Sequence, residues 1–210
     1  MLFTIRHRTQ YSYSQPVQLS PHCLRFHPRD DGAQRVIEHR LEISPQPQGR
    51  NDHIDLEGNR VTQVWFESDT EHFEINLATQ VETLRHNPFD FVLDREAVSL
   101  PIDHAHDVIC ARAYLERIEA DDAVTAFAAE LSLAVDRDTL RFVDRLNREL
   151  FTDFNHIYRE TGIPQSPAMT LQSRQGACRD LAILFVDCCR TEGLAARFAS
   201  GYQRAVSYTH

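Results

Sequence analysis

The sequence predicts an α+β fold, with an antiparallel, sandwich-like β domain at the N-terminus followed by a domain built mainly from helices. Apolar and polar residues alternate through the first hundred residues, which is the period of half-buried strands, whereas after Pro101 the apolar residues recur at helical spacing. A hydrophobic content of 42% is enough for packed cores. We therefore place the two domains at residues 1–100 and 101–210.

Four stretches of the first domain carry the strand pattern. Polar breaks separate them, among them the segment SPQPQG, and the turn EGN interrupts the third stretch. Several short strands divided by turn signals favour an antiparallel sandwich. The stretches cover residues 3–13, 37–43, 54–66 and 73–83.

Three helices are predicted between residues 107 and 154. Residues 107–120 have helical apolar spacing, and residues 123–133 are rich in strong helix formers. The clearest helix covers residues 138–154, with Asp138 as its N-cap. Its buried face is predicted to consist of Leu140, Val143, Leu146, Asn147, Leu150, Phe151 and Phe154, with Asn147 as the one polar member.

A further helix is predicted to begin at Cys178, directly after a Gly-Ala turn. Gly193 is placed to end it, because glycine suits the left-handed backbone that follows many helices. Residues 194–202 then have the composition of a short strand that returns beside the helix. The apolar stripe of this helix consists of Leu181, Leu184, Phe185, Cys188 and Cys189.

Charge and composition exclude several classes of partner. Asp and Glu outnumber Lys and Arg by 31 to 22, and the formal net charge of -9 argues against nucleic acid, which needs a basic surface. The sequence shows neither a signal peptide nor an apolar run of membrane-spanning length, so we expect a cytoplasmic protein without a membrane partner. The five cysteines contain no CxxC pair, which argues against a zinc site or a secreted disulfide framework.

The cysteines support two interpretations. Free cysteine packs well in cores, and this is the simplest interpretation of Cys23, Cys110, Cys188 and Cys189. Cys178 differs, because the unpaired N–H groups at the start of a helix favour an anion, and the thiolate is the nucleophilic form of the side chain. From the residues alone, packing and chemistry are equally open for Cys178. A redox role for the adjacent Cys188 and Cys189 is the weakest alternative.

The segment RQGACRDLAILFVDCCRTEGLAARFASGY holds an ordered set of motifs: G-x-C-x-D, an apolar helix, G-hydrophobic-x-A-R, and a G-Y pair. This set resembles the core of the transglutaminase-like superfamily. The first domain is similar to the β-rich region that precedes this core in bacterial members, in RHRTQYSYSQPVQLS, LRFHPR and EGNRVTQVWF. The core pattern is supplied by Gly176, Cys178, Asp180, Gly193, Ala196, Arg197, Gly201 and Tyr202.

The resemblance implies a papain-like core in which Cys178 is the nucleophile of a Cys-His-Asp triad. The thiolate attacks an amide of a peptide or protein, the histidine transfers the proton, and the aspartate orients the imidazole. The resemblance implies no cofactor and no metal. Asp180 is interpreted as a support for the loop and the helix. Family members carry the triad His and Asp on strands after the G-Y pair, so we expect the chain as given to hold the front part of the core and to lack turnover alone.

Two alternatives remain open. One is a non-catalytic module that binds peptides or cell-wall fragments through a degenerate papain-like core. The other is a metal site in DHAHD, where His104 and His106 could bind a metal with Asp103 or Asp107. The sequence has no further cluster with zinc spacing, which favours a polar surface at this segment.

Overall fold

The computed structural model describes residues 1–87, 89–104, 108–159 and 162–202. The chain divides into two compact units, Met1–Phe91 and Val92–His210. Antiparallel sheets form the first unit, and helices dominate the second. The predicted α+β class, with strands before helices, is therefore confirmed.

Six strands form two three-stranded antiparallel sheets in the first unit. One sheet has the order β1-β6-β3 and the other the order β2-β5-β4. Buried apolar side chains from both sheets pack into one cluster, which makes the unit a small sandwich. The strands are β1 (Leu2–Val17), β2 (His22–Leu24), β3 (Gln34–Ser44), β4 (Gly49–Ile54), β5 (Arg60–Trp65) and β6 (Thr70–Thr83).

The turn between β4 and β5 is fixed by one carboxylate. Asp55 accepts hydrogen bonds from the backbone N–H groups of Glu57 and Asn59 at 3.0 and 2.9 Å. The bond from the Asn59 N–H, followed by the bond from Asn59 Nδ2, lowers the pKa of Asp55 to about 2, and Arg25 and the Glu57 N–H add smaller effects. Gly58 takes the positive φ of 77° that this tight turn requires. The EGN segment is thus a hairpin turn, as predicted.

Two histidines of the first unit lie close together. The rings of His27 and His39 have centroids 4.3 Å apart, and Nδ1 of His39 lies 3.0 Å from the hydroxyl of Thr79. Burial, followed by the neighbouring His27 and then Arg50, lowers the pKa of His39 to about 4. A histidine in this position is neutral in the folded protein at pH 7.

We expect the first unit to lose stability as the pH falls from about 6.5 to about 4. The unfolded chain binds a proton at His39 near pH 6.5, whereas the folded chain resists it until about pH 4, so protonation favours unfolding across this window. Among the smaller effects on the pKa of His39, Arg60 lowers it further and Asp52 raises it. Urea unfolding followed by the fluorescence of Trp65, the single tryptophan, measures this unit alone.

The matched variants are His39→Gln and His53→Gln. His39→Gln should flatten the pH dependence of the urea midpoint between pH 6.5 and 4. His53→Gln should leave this dependence unchanged, because His53 is exposed. Asp55 cannot produce this effect. The stability that its ionised carboxylate contributes is lost only as the pH falls from about 4 to its lowered pKa of about 2. An unchanged slope in His39→Gln would refute the prediction.

Five helices and a two-stranded parallel sheet make up the described part of the second unit, beside a short 3₁₀ turn at Arg95–Ala97. Buried side chains from α2, α3, α4 and α5 share one core. The elements are α1 (Val108–Leu115), α2 (Asp122–Leu133), α3 (Thr139–Thr152), β7 (Asn155–His156), α4 (Pro167–Ser173), β8 (Gln175–Gly176) and α5 (Cys178–Thr191).

The start of α3 agrees with the sequence, but its buried face is rotated. Asp138 caps the helix, accepting a bond from the Arg141 N–H at 2.9 Å, as predicted. Phe142, which the predicted face leaves out, is fully buried, whereas Phe151 is 75% exposed and Leu140 is 45% exposed. Apolar residues occupy more than one face of α3, so the pattern alone could not tell which face meets the core.

Residues 92–100 pack with the second unit. The Leu100 N–H donates to the Arg137 carbonyl at 2.8 Å, Ser99 forms a bridge with Asp138, and the Leu100 side chain is part of the helical core. The packing therefore divides the chain after Phe91, nearer the N-terminus than the limits of 1–100 and 101–210 placed from the sequence.

The end of α5 has the hydrogen bonds of a Schellman motif. The Gly193 N–H donates to the Arg190 carbonyl at 3.1 Å, and the Leu194 N–H donates to the Cys189 carbonyl at 2.9 Å. Gly193 has a φ of 76°, and a Cβ placed on it would lie 2.8 Å from Cβ of Pro101. Both the backbone angle and the contact require glycine here, so the predicted helix end is confirmed.

Two local predictions are wrong. Residues 194–202 do not form a strand, because in the described chain they have no ladder partner; Ala196 instead donates to the Tyr114 carbonyl at 3.0 Å and accepts bonds from Arg190. Cys23 is exposed on β2 and does not pack in a core. The side chain of Cys110 lies outside those described.

Among the described residues, no helix is both long enough and apolar enough to cross a membrane.

Candidate active site

Cys178 is the first residue of α5, and its thiol is exposed. The strand β8 ends at Gly176, so a single residue, Ala177, separates the strand from the helix. The N–H groups in the first turn of a helix have no partner within the helix, and together with the helix dipole they favour negative charge. A thiolate at Cys178, or an oxyanion formed beside it, would therefore face a favourable electrostatic environment.

Gly176 allows the close packing of this turn. It is buried, and a Cβ on this residue would lie 3.0 Å from Cβ of Asp180 and 3.3 Å from Cγ2 of Thr170. Both neighbours are fully buried, so neither has free space into which it could move. The glycine of the G-x-C-x-D pattern is thus required by packing.

The fully buried carboxylate of Asp180 ties two other segments to the start of α5. Its Oδ1 accepts hydrogen bonds from Nη2 of Arg159 at 2.6 Å and from the backbone N–H of Gln165 at 2.9 Å, and its Oδ2 accepts one from the backbone N–H of Ala177 at 2.8 Å. Burial by itself would raise the pKa of Asp180, but the two backbone bonds and the guanidinium of Arg159 hold it below its usual value.

The strand before Cys178 is held from two sides. His156 on β7 lies opposite Gly176 on β8, and the Ile157 N–H donates to the Gly176 carbonyl at 3.1 Å. Arg174, at a φ of 51°, places its guanidinium over the rings of Phe127 and Phe154, with distances to the ring centroids of 5.4 and 4.9 Å. The backbone leading to the thiol is therefore anchored in the helical core.

The other two cysteines of α5 belong to the core. Cys188 and Cys189 are 0% and 1% exposed. Burial raises the pKa of Cys188 far above its ordinary range and that of Cys189 to about 12. Both thiols therefore remain protonated and inaccessible, which supports packing over a redox role. Among the described thiols, only Cys23 and Cys178 are exposed.

The structure does not assemble a triad around Cys178 among the described residues. In the second unit, His104 lies 2.9 Å from the Gly193 carbonyl, and His156 lies 3.3 Å from the Leu150 carbonyl. His106, Asp107 and His210 lie outside the described residues. Within the described ranges, no three His, Cys, Asp or Glu side chains come together as metal ligands.

An exposed cysteine at the start of a core helix, within an α+β fold, is the arrangement expected of the papain-like class. Two family models match this chain: the bacterial transglutaminase-like N-terminal region over residues 3–82, and the transglutaminase-like superfamily over residues 125–210. Together they cover most of the sequence. The two matches confirm the predicted resemblance to the transglutaminase-like superfamily and to its bacterial N-terminal region.

Similar proteins include uncharacterized ones from mycobacteria. The chain is 28% identical to a protein of Mycobacterium tuberculosis over 207 residues, which is 95% of this chain and 65% of that relative, and it matches a protein of Mycobacterium bovis equally well. A Mycobacterium leprae protein is 28% identical over 200 residues, which is 93% of this chain and 69% of the relative. The chain thus spans about two thirds of the length of these relatives.

A solved structure has the same fold. It is the crystal structure of a candidate cysteine protease from Cytophaga hutchinsonii, with a TM-score of 0.66 and 17% sequence identity. The similarity covers 91% of this chain and 66% of that one. This likeness supports the predicted α+β fold, with β structure before a papain-like core.

Proposed function

We propose that this protein is a cysteine enzyme that acts on amide bonds of peptides or proteins, with Cys178 as its nucleophile. The observation that carries the proposal is the contrast within α5: one thiol is exposed at the positive end of the helix, and two are sealed in the core. The fold and the family supply the class of chemistry to which such a thiol belongs.

The proposed reaction has two steps. The thiolate of Cys178 attacks the amide carbonyl carbon, a C–S bond forms, the C–N bond breaks, and the amine leaves with a proton delivered by a general acid. Water or a second amine then attacks the thioester, and the thiol is released. The backbone N–H at the start of α5 would stabilise the oxyanion of each tetrahedral intermediate.

The proposal assigns the general base and its orienting acid to a histidine and an aspartate outside residues 1–202. Nε2 of His104 and Nε2 of His156 lie against the carbonyls of Gly193 and Leu150, and within the described residues neither imidazole forms a hydrogen bond with Cys178. We further propose that residues 1–202 lack turnover without those groups. The proposal includes a cytoplasmic setting, because an acyl-transfer thiol has to stay reduced.

Alkylation of the intact chain with iodoacetamide at pH 7 tests the proposed nucleophile. Cys178 should react about tenfold faster than Cys23, because both thiols are exposed but only Cys178 lies at a helix N-terminus. Cys188 and Cys189 should react only after unfolding, since both are buried. Mass spectrometry of the tryptic peptides gives the rate at each site.

Cys23 is the matched control, because it is an exposed thiol on a strand. Equal rates at Cys23 and Cys178 would contradict a nucleophilic Cys178 and favour the non-catalytic binding module. In the full-length enzyme, Cys178→Ser should abolish amide cleavage or transfer, whereas Cys23→Ser should leave it unchanged.

A further inference from the structure

The first turn of α5 contains a full negative charge close to the thiol. Asp180 follows Cys178 by two residues, and its carboxylate is 0% exposed. A buried charge is poorly screened by water, so an unpaired carboxylate at this position would oppose the formation of a thiolate at Cys178. The fold therefore has to neutralise Asp180 if Cys178 is to react.

Arg159 provides this neutralisation from a different part of the chain. Its Nη2 lies 2.6 Å from Oδ1 of Asp180, and its side chain is 29% exposed, which makes the ion pair largely buried. The Nε of Arg159 is buried and has no hydrogen-bond partner among the described residues. Backbone N–H groups already bond to both carboxylate oxygens, so the distinct contribution of Arg159 is its charge.

We propose that Asp180 and Arg159 act as a positioning pair for Cys178. Asp180 fixes the turn that carries the thiol against the segments that hold Arg159 and Gln165, and Arg159 cancels the charge that this carboxylate would otherwise present to the thiolate. The pair acts through Cys178 and does not contact the substrate. This proposal rests on the proposed function, because it assigns a role relative to a reactive thiol.

The ionised form of Asp180 is favoured over the whole range in which a thiol reacts. Its pKa is held below the usual value by the Gln165 and Ala177 N–H groups and by Arg159, with a smaller effect from Arg179, against the opposing effect of burial. The other described charged or titratable groups on these two short strands and directly beside them are Asp153, His156, Tyr158 and Arg174. The Asp153 carboxylate accepts a hydrogen bond from the Thr152 hydroxyl at 2.7 Å, and the positive charge of Arg174 acts on it as well.

Two substitutions separate charge from structure. Asp180→Asn keeps the shape of the side chain but leaves Arg159 unpaired, so alkylation of Cys178 at pH 7 should become faster. Arg159→Met leaves the carboxylate unpaired, so alkylation should become slower. We expect about a tenfold change in each direction, because adding or removing one poorly screened unit charge changes the ionised fraction of a nearby thiol at pH 7 by about tenfold.

The rate is read from the tryptic peptide 175–179, which contains Cys178 and no other thiol. Arg159→Lys restores the cation and should return the rate toward that of the unsubstituted chain. Asp187→Asn is the matched control. Asp187 lies on the same helix as Asp180 but nine residues after Cys178, and it forms a comparable buried pair with Arg117, which precedes α2. This substitution should lower stability and leave the alkylation rate unchanged.

Opposite shifts in Asp180→Asn and Arg159→Met support the positioning pair, and shifts in the same direction, or none, overturn it. If Asp180→Asn fails to fold, as judged by helical ellipticity at 222 nm, the slower reaction of Arg159→Met and its rescue in Arg159→Lys decide the question. The proposed function fails separately, when Cys178 of the unsubstituted chain reacts no faster than Cys23.

Discussion

Phe142→Ala should lower the free energy of unfolding of the second unit by about 3–5 kcal/mol. Phe142 lies on α3, is 0% exposed, and packs in the core shared by α2, α3, α4 and α5. Truncation to alanine removes a buried ring and leaves a cavity that close-packed neighbours fill only in part. Urea unfolding followed by ellipticity at 222 nm measures this unit, because all described helices of the chain lie in it.

The matched control is Phe151→Ala on the same helix. Phe151 is 75% exposed, so its truncation should change the free energy of unfolding by no more than about 0.5 kcal/mol. The two variants remove the same atoms from opposite sides of α3. A larger loss for Phe151→Ala than for Phe142→Ala would show that the core lies on the face predicted from the sequence, contrary to the structure.

The contrast between these two residues shows how far local pattern reaches. Alternation located β1 and β6, and helical spacing with an Asp cap located α3, because both depend on residues close in sequence. The side of α3 that meets the core depends on α2 and α5, which pack against it from other parts of the chain. Phe142 and Phe151 are chemically identical, so composition could not distinguish them.

Strand pairing has the same limit. The order β1-β6-β3 joins the first and last strands of the unit, and residues far apart in sequence meet, as Phe3 meets Val81. Alternation indicates that a strand has a buried face but does not identify its partner. Residues 194–202 show the converse, since a strand-like composition without a ladder partner does not make a strand.

The sequence predicted the position of Cys178 in the candidate site but not the residues that hold this turn in place. The Gly-Ala-Cys turn and the apolar stripe after it placed Cys178 at the start of α5. The partners of Asp180 were not predictable, because Arg159 and Gln165 come from irregular segments without a periodic signal. One signal was available: Asp180 and Asp187 are seven residues apart in a helix whose apolar stripe faces the core, so two turns of spacing place both carboxylates on one side.

Asp187→Ala should destabilise the second unit by about 3 kcal/mol or more. The carboxylate is 0% exposed and holds the segment that connects α1 to α2. Its Oδ1 accepts hydrogen bonds from the backbone N–H groups of Ile118 and Glu119 at 2.7 and 3.4 Å, and its Oδ2 lies 3.3 Å from Nη2 of Arg117. Alanine would leave these donors without their partner, and helical ellipticity during urea unfolding measures the loss.

Asp144→Ala is the control, because Asp144 also pairs with an arginine on a helix. The Arg148–Asp144 distance is 2.9 Å, but both side chains are more than half exposed, so its loss should change stability by about 0.5 kcal/mol at most. Asp187→Asn should fall between the two, since one oxygen remains to accept the Ile118 N–H while the charge opposite Arg117 is lost. Equal effects for Asp187→Ala and Asp144→Ala would mean that water replaces the carboxylate at Ile118. The Asp187 side chain would then not be what holds this segment to α5.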